Sequence, residues 1–541
     1  MLKIISILAF LSLSYQTYAC TNFLITKGAS VDGSSMITYA ADAGGFMEPL
    51  FFREAADHPE GTMLDVYDWD TGKYLGKIKQ APHTYRVVGN MNEWGLAIGE
   101  TTFTGLEQLR DTTGIIDYGS LIRITLQRAK TAREAIKVIN ELTKEYGYYS
   151  TGESFSIADP NEVWLMEIIG KGVGNKGLAW AARRIPDGYI SAHANQARIH
   201  EIDMSDKENW MWADDVVSFA KEQKIYQERD GEFSFADTYN PLDPGGALYC
   251  EGRVWRFYSL SAPSMNLDTA RFRAVKSADP YPLFIKPDKK LGVADLKEFM
   301  RDHFEGTDFD MTKGIAAGPY GCPYRWKNLS WKIEGDTVNK YGWERPISTQ
   351  QTAWSFIAQL RSDLPREIGN VFWYGVDDAA TTCYVPLYSC LKEAPPSLKG
   401  GSIAEFDWDV AFWVFNVVAN RAYLQYNLIS EDIRTIQQGY ESKFLKMQKG
   451  IENTAIDFMK MDPDMAREFL SDYSSGQFEK VVDDWRELWI DITVKYNDGY
   501  MNDVNKNNGR SPKGVGYEKE FYEAVIKERP SYYDVEWRGE E

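Results

Sequence analysis

The chain has 541 residues, too many for one ordinary core, so two or more lobes are expected. Its hydrophobic content of 44% and charged content of 26% are those of a globular protein. Past the first residues no stretch stays apolar for the roughly 20 residues of a transmembrane helix. A formal net charge of −19 repels polyanions, which excludes nucleic acid and anionic lipid as partners without selecting a substrate.

Residues 1–19 read as a secretory signal peptide: Lys3, an apolar run over 4–13, then the small residue Ala19 at the cleavage point. Export to the periplasm or the extracellular space is therefore expected. Cleavage after Ala19 makes Cys20 the first residue of the mature chain. A cysteine there is either a lipid-bearing anchor or an N-terminal nucleophile whose own amine serves as base. Lipoprotein signals place Leu three residues before the cysteine and a small residue two before it, where this chain has Thr17 and Tyr18. A flexible tether is also missing, because Thr21-Asn22-Phe23-Leu24-Ile25-Thr26 reads as a buried strand. The nucleophile is the favoured reading, and no stable membrane partner is expected.

Strands over 21–27 and 34–40 flank Asp32-Gly33, a pair suited to a hairpin turn, and Asp42 ends the second strand. Strands over 85–89 and 96–102 follow, joined by Asn92-Glu93-Trp94-Gly95. Helices are expected over 118–129 and after Thr131, whose capping box with Glu134 precedes the stripe Ala132, Ala135, Ile136 and Ile139. Strands return over 154–158 and 163–169 around the turn Asp159-Pro160-Asn161-Glu162, then over 178–183 and 189–194. Loops rich in glycine and proline fill much of 240–345, with later strands over 371–375 and 384–388. Past Gly401 the pattern turns helical to about residue 496, starting with the stripe Val410, Trp413, Val414, Val417 and Val418. Layers of sheet with helices outside are the expected architecture.

Besides Cys20 there are Cys250, Cys322, Cys383 and Cys390, an even count that permits two disulfides in an exported protein without choosing among three pairings. No ligand spacing for zinc occurs, and Asp503, Asn505 and Asn507 fail as a calcium loop because Gly509 comes one place late and Gly514 replaces the final glutamate. No metal or cofactor is expected. The five histidines are scattered; a Cys-His protease is allowed by count alone, and a surface or hydrogen-bonded core histidine is the simpler reading of each.

A free N-terminal cysteine combines a thiol of pKa about 8.5 with an amine of about 7.7–8.0. The amine can therefore take the thiol proton near neutral pH. Such a site still needs a group to orient the amine, donors for the tetrahedral oxyanion and a cation near the thiol.

Cys20-Thr21, Asp32-Gly33, Asp42, Asn92-Glu93-Trp94-Gly95-Leu96 and Ala194-Asn195-Gln196-Ala197 resemble the N-terminal-nucleophile cysteine dipeptidases of the broad-specificity dipeptidase A type. These are relatives of choloylglycine hydrolase and penicillin V acylase. The likeness continues through Gly252-Arg253-Val254-Trp255-Arg256, Glu305-Gly306-Thr307-Asp308-Phe309-Asp310, Gly318-Pro319-Tyr320-Gly321 and Phe372-Trp373-Tyr374-Gly375. It implies an α+β fold: a four-layer αββα sandwich over 20–400 with a mainly helical appendage over 401–541. The implied activity is hydrolysis of dipeptides through a thioester on Cys20.

By the same resemblance Asp42 orients the amine, Asn195 contacts the oxyanion or the amine, and Arg253 holds the thiolate, with Arg256 as the fallback. Taken alone, Asp42 and Asn195 are also ordinary turn residues and an arginine is an ordinary surface ion-pair partner. Two positions depart from the acylase relatives. Tyr39 stands three residues before Asp42, where they carry arginine, and Thr102 stands ten residues after Asn92, where they carry an oxyanion asparagine. The second oxyanion donor then falls to a backbone N–H near Thr101 or Thr102, and Glu100 is placed to meet a substrate's free amino group. The competing readings are an amidase on non-peptide N-acyl amides with the same nucleophile, and a non-catalytic lipoprotein anchored through Cys20.

Overall fold

The structure, a computed structural model, describes residues 20–326, 329–336 and 340–534. The expected signal peptide, 1–19, lies outside the described residues, as does the end of the expected appendage. The predicted hairpin is present as β1 (Asn22–Ile25) and β2 (Ser35–Asp42), antiparallel with Leu24 opposite Ile37. Its turn is fixed by the Asp32 carboxylate, which accepts the Ser34 N–H at 3.1 Å and hydroxyl at 2.6 Å. Gly33 there has φ +73°, a conformation that glycine adopts without a Cβ clash.

The remaining long strands are β3 (Ala97–Phe103), β4 (Gly152–Ala158), β5 (Val163–Ile169), β6 (Ala179–Arg184), β7 (Ile190–His193), β8 (Thr352–Leu360), β9 (Asn370–Val376) and β10 (Val385–Tyr388). Two antiparallel sheets result. The first runs Phe284–Ile285, β7, β1, β2, β8, β9, β10; the second runs Trp210–Trp212, β6, β5, β4, β3, Met91–Asn92, Val87–Val88, Phe52–Arg53. All nine residues of β8 are buried. A strand covered on both faces shows no period-two alternation, and β8 escaped the sequence reading although it joins β2 to β9.

The sheets meet through polar side chains as well as apolar ones. His193 on β7 bonds Thr101 of β3 and Ser156 of β4, each at 2.7 Å, and the Asn22 amide donates to the Glu100 carbonyl at 2.6 Å. Gly99 on β3 allows this approach. A Cβ built there would lie 2.5 Å from Asn22 Oδ1 and 3.3 Å from the Tyr39 Cβ. Gly99→Ala is expected to cost about 1–3 kcal/mol of stability by overpacking, read as a lower denaturant midpoint at constant slope. An unchanged midpoint would mean that the sheets yield there without strain.

Helices α1 (Tyr118–Leu126) and α2 (Ala132–Tyr146) lie against the second sheet, with α2 on β4 and β5. The Thr131 hydroxyl caps α2 by accepting the Glu134 N–H, and Glu134 reaches back to the N–H of Lys130, one residue before the expected partner. The predicted stripe Ala132, Ala135, Ile136 and Ile139 is buried. Against the first sheet lie three helices of the C-terminal region, while α3 (Gly252–Ser261) contacts β7.

The three C-terminal helices are α4 (Ala411–Ala422), α5 (Tyr426–Met461) and α6 (Pro463–Lys495). The buried stripe of α4 is Ala411, Val414, Phe415, Val418 and Ala422, rotated from the expected one, so that Trp413 and Val417 are only half-buried. Phe415 sets this rotation by stacking on Trp485 of α6 at 5.1 Å. Two buried ion pairs, Arg301–Glu441 at 2.7 Å and Arg361–Glu452 at 2.5 Å, fix α5 to the sheet lobe. All five cysteines are unpaired, and among the described residues no helix is long and apolar enough to cross a membrane.

Candidate active site

Cys20 sits two residues before the start of β1 and is only 3% exposed. Its neighbours follow from strand order. Tyr39 comes from β2, which pairs with β1, and Glu100 comes from β3 in the facing sheet. The thiol donates towards the Tyr39 hydroxyl at 3.6 Å and Glu100 Oε1 at 3.5 Å, and the tyrosine donates to that same carboxylate oxygen at 2.6 Å. Burial pushes the thiol pKa well up, and the charges of Glu100 and Asp42 add to the shift. The cysteine therefore rests as a thiol here, and a base must take its proton before it can attack.

Asp42 closes β2 and is fully buried. Its carboxylate accepts Arg345 Nη2 at 2.7 Å and the Thr352 hydroxyl at 2.6 Å. Burial raises its pKa, opposed by Arg345 and Thr352. Its own backbone N–H meets the cysteine and favours the thiolate, whereas its carboxylate charge disfavours it.

Arg253, at the start of α3, is fully buried and grips the backbone around the nucleophile. Nη1 donates to the Cys20 carbonyl at 2.5 Å and the Thr21 hydroxyl at 2.9 Å. Nη2 donates to the Ala194 carbonyl at 3.2 Å and Asn195 Oδ1 at 3.0 Å, and Nε to the Tyr249 carbonyl at 2.7 Å. The planar fork matches divergent acceptors that an ammonium would not reach together. Sequence reading placed this arginine beside the sulfur as a thiolate holder; its contacts include the carbonyl of the same residue, and its charge acts on Cys20. Arg256, the fallback, is committed elsewhere, pairing with Asp302 at 2.5 Å.

Asn195 follows β7 in the left-handed region, with φ 61°. Its amide donates to the Thr102 carbonyl at 2.7 Å while its oxygen accepts from Arg253. Arg253, Asn195 and Thr102 thus form one chain of bonds from α3 through the end of β7 to β3. Thr102 also turns its hydroxyl towards Glu100 Oε2 at 3.5 Å. Thr101 diverges from its neighbours, as strand alternation requires, and its hydroxyl shares a hydrogen bond with His193.

The fold therefore brings together Cys20, Asp42, Glu100, Thr102, Asn195 and Arg253, and turns the Thr101 side chain to the space between the sheets. His193 is a hydrogen-bonded core histidine. Burial, then Arg198 and Arg253, hold its pKa well below the ordinary value, and both ring nitrogens are engaged. Asn92 is a structural pin: its amide donates to the carbonyls of Leu126 and Ala129, and its oxygen accepts the N–H groups of Trp94 and Leu96. Arg345, Thr352 and Glu153 escaped the sequence reading. The first two come from a distant loop and an unrecognised strand, and no local signal links them to Asp42.

Comparison with known proteins places the chain in a family. The model of the family described as "Peptidase family C69" matches residues 19–439. The chain is 28% identical over 411 residues to a probable dipeptidase of Salmonella dublin, covering 71% of this chain and 84% of that protein. It is 24% identical over 505 residues to a probable dipeptidase B of Streptococcus pyogenes serotype M1, covering 88% and 93% respectively. It is also 24% identical over 450 residues to dipeptidase A of Lactobacillus helveticus, covering 79% and 85%. The chain belongs to peptidase family C69 and is a peptide hydrolase of the cysteine type.

Proposed function

We propose that the protein is an exported dipeptidase, periplasmic or extracellular, that acts through a thioester on Cys20 made N-terminal by cleavage after Ala19. The freed α-amine takes the thiol proton, Sγ bonds to the substrate carbonyl carbon, and the ammonium returns the proton to the leaving amine as the C–N bond breaks. Water, activated by the same amine, then cleaves the thioester. The raised thiol pKa supports proton transfer at the moment of attack over a standing thiolate. Asp42, held by Arg345 and Thr352, orients the amine. The two facing sheets, with α1 and α2 on one and α3 and the helix Val293–Met300 on the other, support an αββα sandwich over 20–400, with 401–541 as an appendage packed on it.

One observation carries the choice of substrate: Glu100 Oε1 lies 3.5 Å from the sulfur. In a peptide the α-amino nitrogen of the acyl residue is two bonds from its carbonyl carbon, about 2.5 Å away by standard geometry. A carboxylate this close to the nucleophile meets that ammonium when the carbonyl is attacked, and an N-acyl amide has no charge to place there. The experiment is a substrate panel of free dipeptides, N-acyl amino acids and conjugated bile salts. Turnover of dipeptides alone is expected, whereas preferred turnover of N-acyl substrates would move the protein to the acylases.

Asn195 supplies an amide beside the attacked carbonyl. Asn195→Ala is expected to lower kcat about 10²–10³-fold, the usual loss of an oxyanion donor, with KM little changed. Steady-state kinetics on a dipeptide check this, and a loss confined to KM would assign Asn195 to binding instead.

A further inference from the structure

Next to Glu100 lies a second carboxyl that the reaction above leaves unused. Glu153, near the start of β4, stands opposite Thr102 in the strand register and so shares the face that carries Thr102 and Glu100. It is fully buried; its polar neighbours are the Thr102 hydroxyl and the Glu100 carboxyl, and neither of its oxygens accepts a hydrogen bond of ordinary length and angle among the described residues. Burial first, and then the charge of Glu100, push its pKa well up. Two carboxyls placed this way keep one proton between them instead of ionising together.

Asp70 adds to the cluster. It accepts the Tyr118 hydroxyl at 2.9 Å, and its pKa is pushed up to about 7 by burial, with Asp68, Asp117 and Glu100 contributing. The ion pairs among the described residues give Glu100 and Glu153 no lysine or arginine. Buried carboxylate oxygens such as those of Glu153 are costly unless a ligand satisfies them. A group with three N–H donors and one positive charge meets that need, and an unblocked peptide carries one at its end.

We propose that Glu153 is a specificity-determining residue that, with Glu100, forms the receptor for the terminal ammonium of an unblocked peptide. The inference rests on the dipeptidase reading. Glu100 faces the ammonium from the sulfur side and Glu153 from behind, so a substrate needs a free α-amine on the residue that acylates Cys20. Amino-acid amides and esters with a free amine fall in the accepted class. N-acylated peptides and peptides lacking the amine do not, because they bury the acidic pair without bringing a positive charge to it.

The test compares alanylalanine with its desamino counterpart, propanoylalanine, on the mature full-length enzyme. Glu153→Gln keeps the shape of the side chain and removes the second carboxyl, which the pair would ionise on meeting an ammonium. The ratio of kcat/KM for the two substrates is expected to fall about 10- to 100-fold, the loss of one charge-assisted hydrogen bond, chiefly through a higher KM for alanylalanine. Glu153→Asp, which keeps the charge on a shorter arm, is expected to restore part of the ratio. Equal losses on both substrates, or an unchanged ratio in folded Glu153→Gln, would overturn the proposal. If Glu153→Gln does not fold, Glu153→Asp decides: a higher KM for alanylalanine alone supports the receptor, and an unchanged ratio refutes it. Wild-type enzyme that cleaves both substrates equally would remove the receptor while leaving the dipeptidase reading intact. Wild-type enzyme that cleaves no dipeptide would remove that reading itself.

Discussion

Cys20→Ala is expected to lower kcat/KM for dipeptides by at least about 10⁴-fold, because removing a nucleophile leaves only binding and positioning. The protein should remain folded. Cys20 is small and buried at the mouth of β1, and its carbonyl, held by Arg253, is untouched by the substitution. Cys20→Ser is expected to keep a trace of activity, since the hydroxyl is the poorer nucleophile and gives up its proton less readily. Steady-state kinetics with a thermal unfolding curve distinguish loss of chemistry from loss of fold. Near-normal turnover by the alanine variant would place the nucleophile elsewhere.

Arg253→Met is expected to lose about 10³-fold in kcat/KM together with about 3–5 kcal/mol of stability. Its guanidinium satisfies the carbonyls of Cys20, Ala194 and Tyr249, the Thr21 hydroxyl and the Asn195 amide oxygen. Methionine has similar length and no donor, so each buried acceptor loses its partner at once, at about 1–3 kcal/mol for a single group before relaxation. The activity loss follows from geometry. The same arginine sets the position of Cys20 and of Asn195, and a shift of about 1 Å in a reacting group can cost 10²-fold. Arg253→Lys should recover only part of both, because a point charge does not span the fork. Denaturant unfolding and kinetics on the two variants check this; a stable, active methionine variant would show that the clamp is dispensable.

Local chemistry made much of the fold readable. Asp32-Gly33 gave the first hairpin, Thr131 with Glu134 the start of α2, and Asp159 the turn between β4 and β5, where its carboxylate accepts the N–H groups of Asn161 and Glu162. Each signal is short and self-contained. β8 was not readable, because a strand buried on both faces carries no alternation and follows a long loop region. The rotated stripe of α4 has the same origin: its registry is set by Trp485 on α6, far along the chain.

The site divides in the same way. Cys20, Asp42, Asn195 and Arg253 are read from motif and resemblance and Glu100 from the need to meet a dipeptide's amine, and one set of contacts links them to Cys20. What sequence could not give was the bonding. Tyr39 was noticed only as a departure from the acylases, yet its hydroxyl joins the thiol to Glu100. Arg253 contacts the carbonyl of Cys20 through an orientation that only the placement of α3 determines. Glu153 became visible only through the register of β3 and β4.

The central claim is that the mature chain begins with an unblocked Cys20 that carries the acyl group during turnover. Intact-mass measurement of the active enzyme, acid-quenched while cleaving a dipeptide, tests it directly. Two species are expected: a chain starting at Cys20 with a free amine, and the same chain heavier by the first residue of the dipeptide. Fully active enzyme that starts elsewhere, or bears a blocked amine on Cys20, would contradict the account.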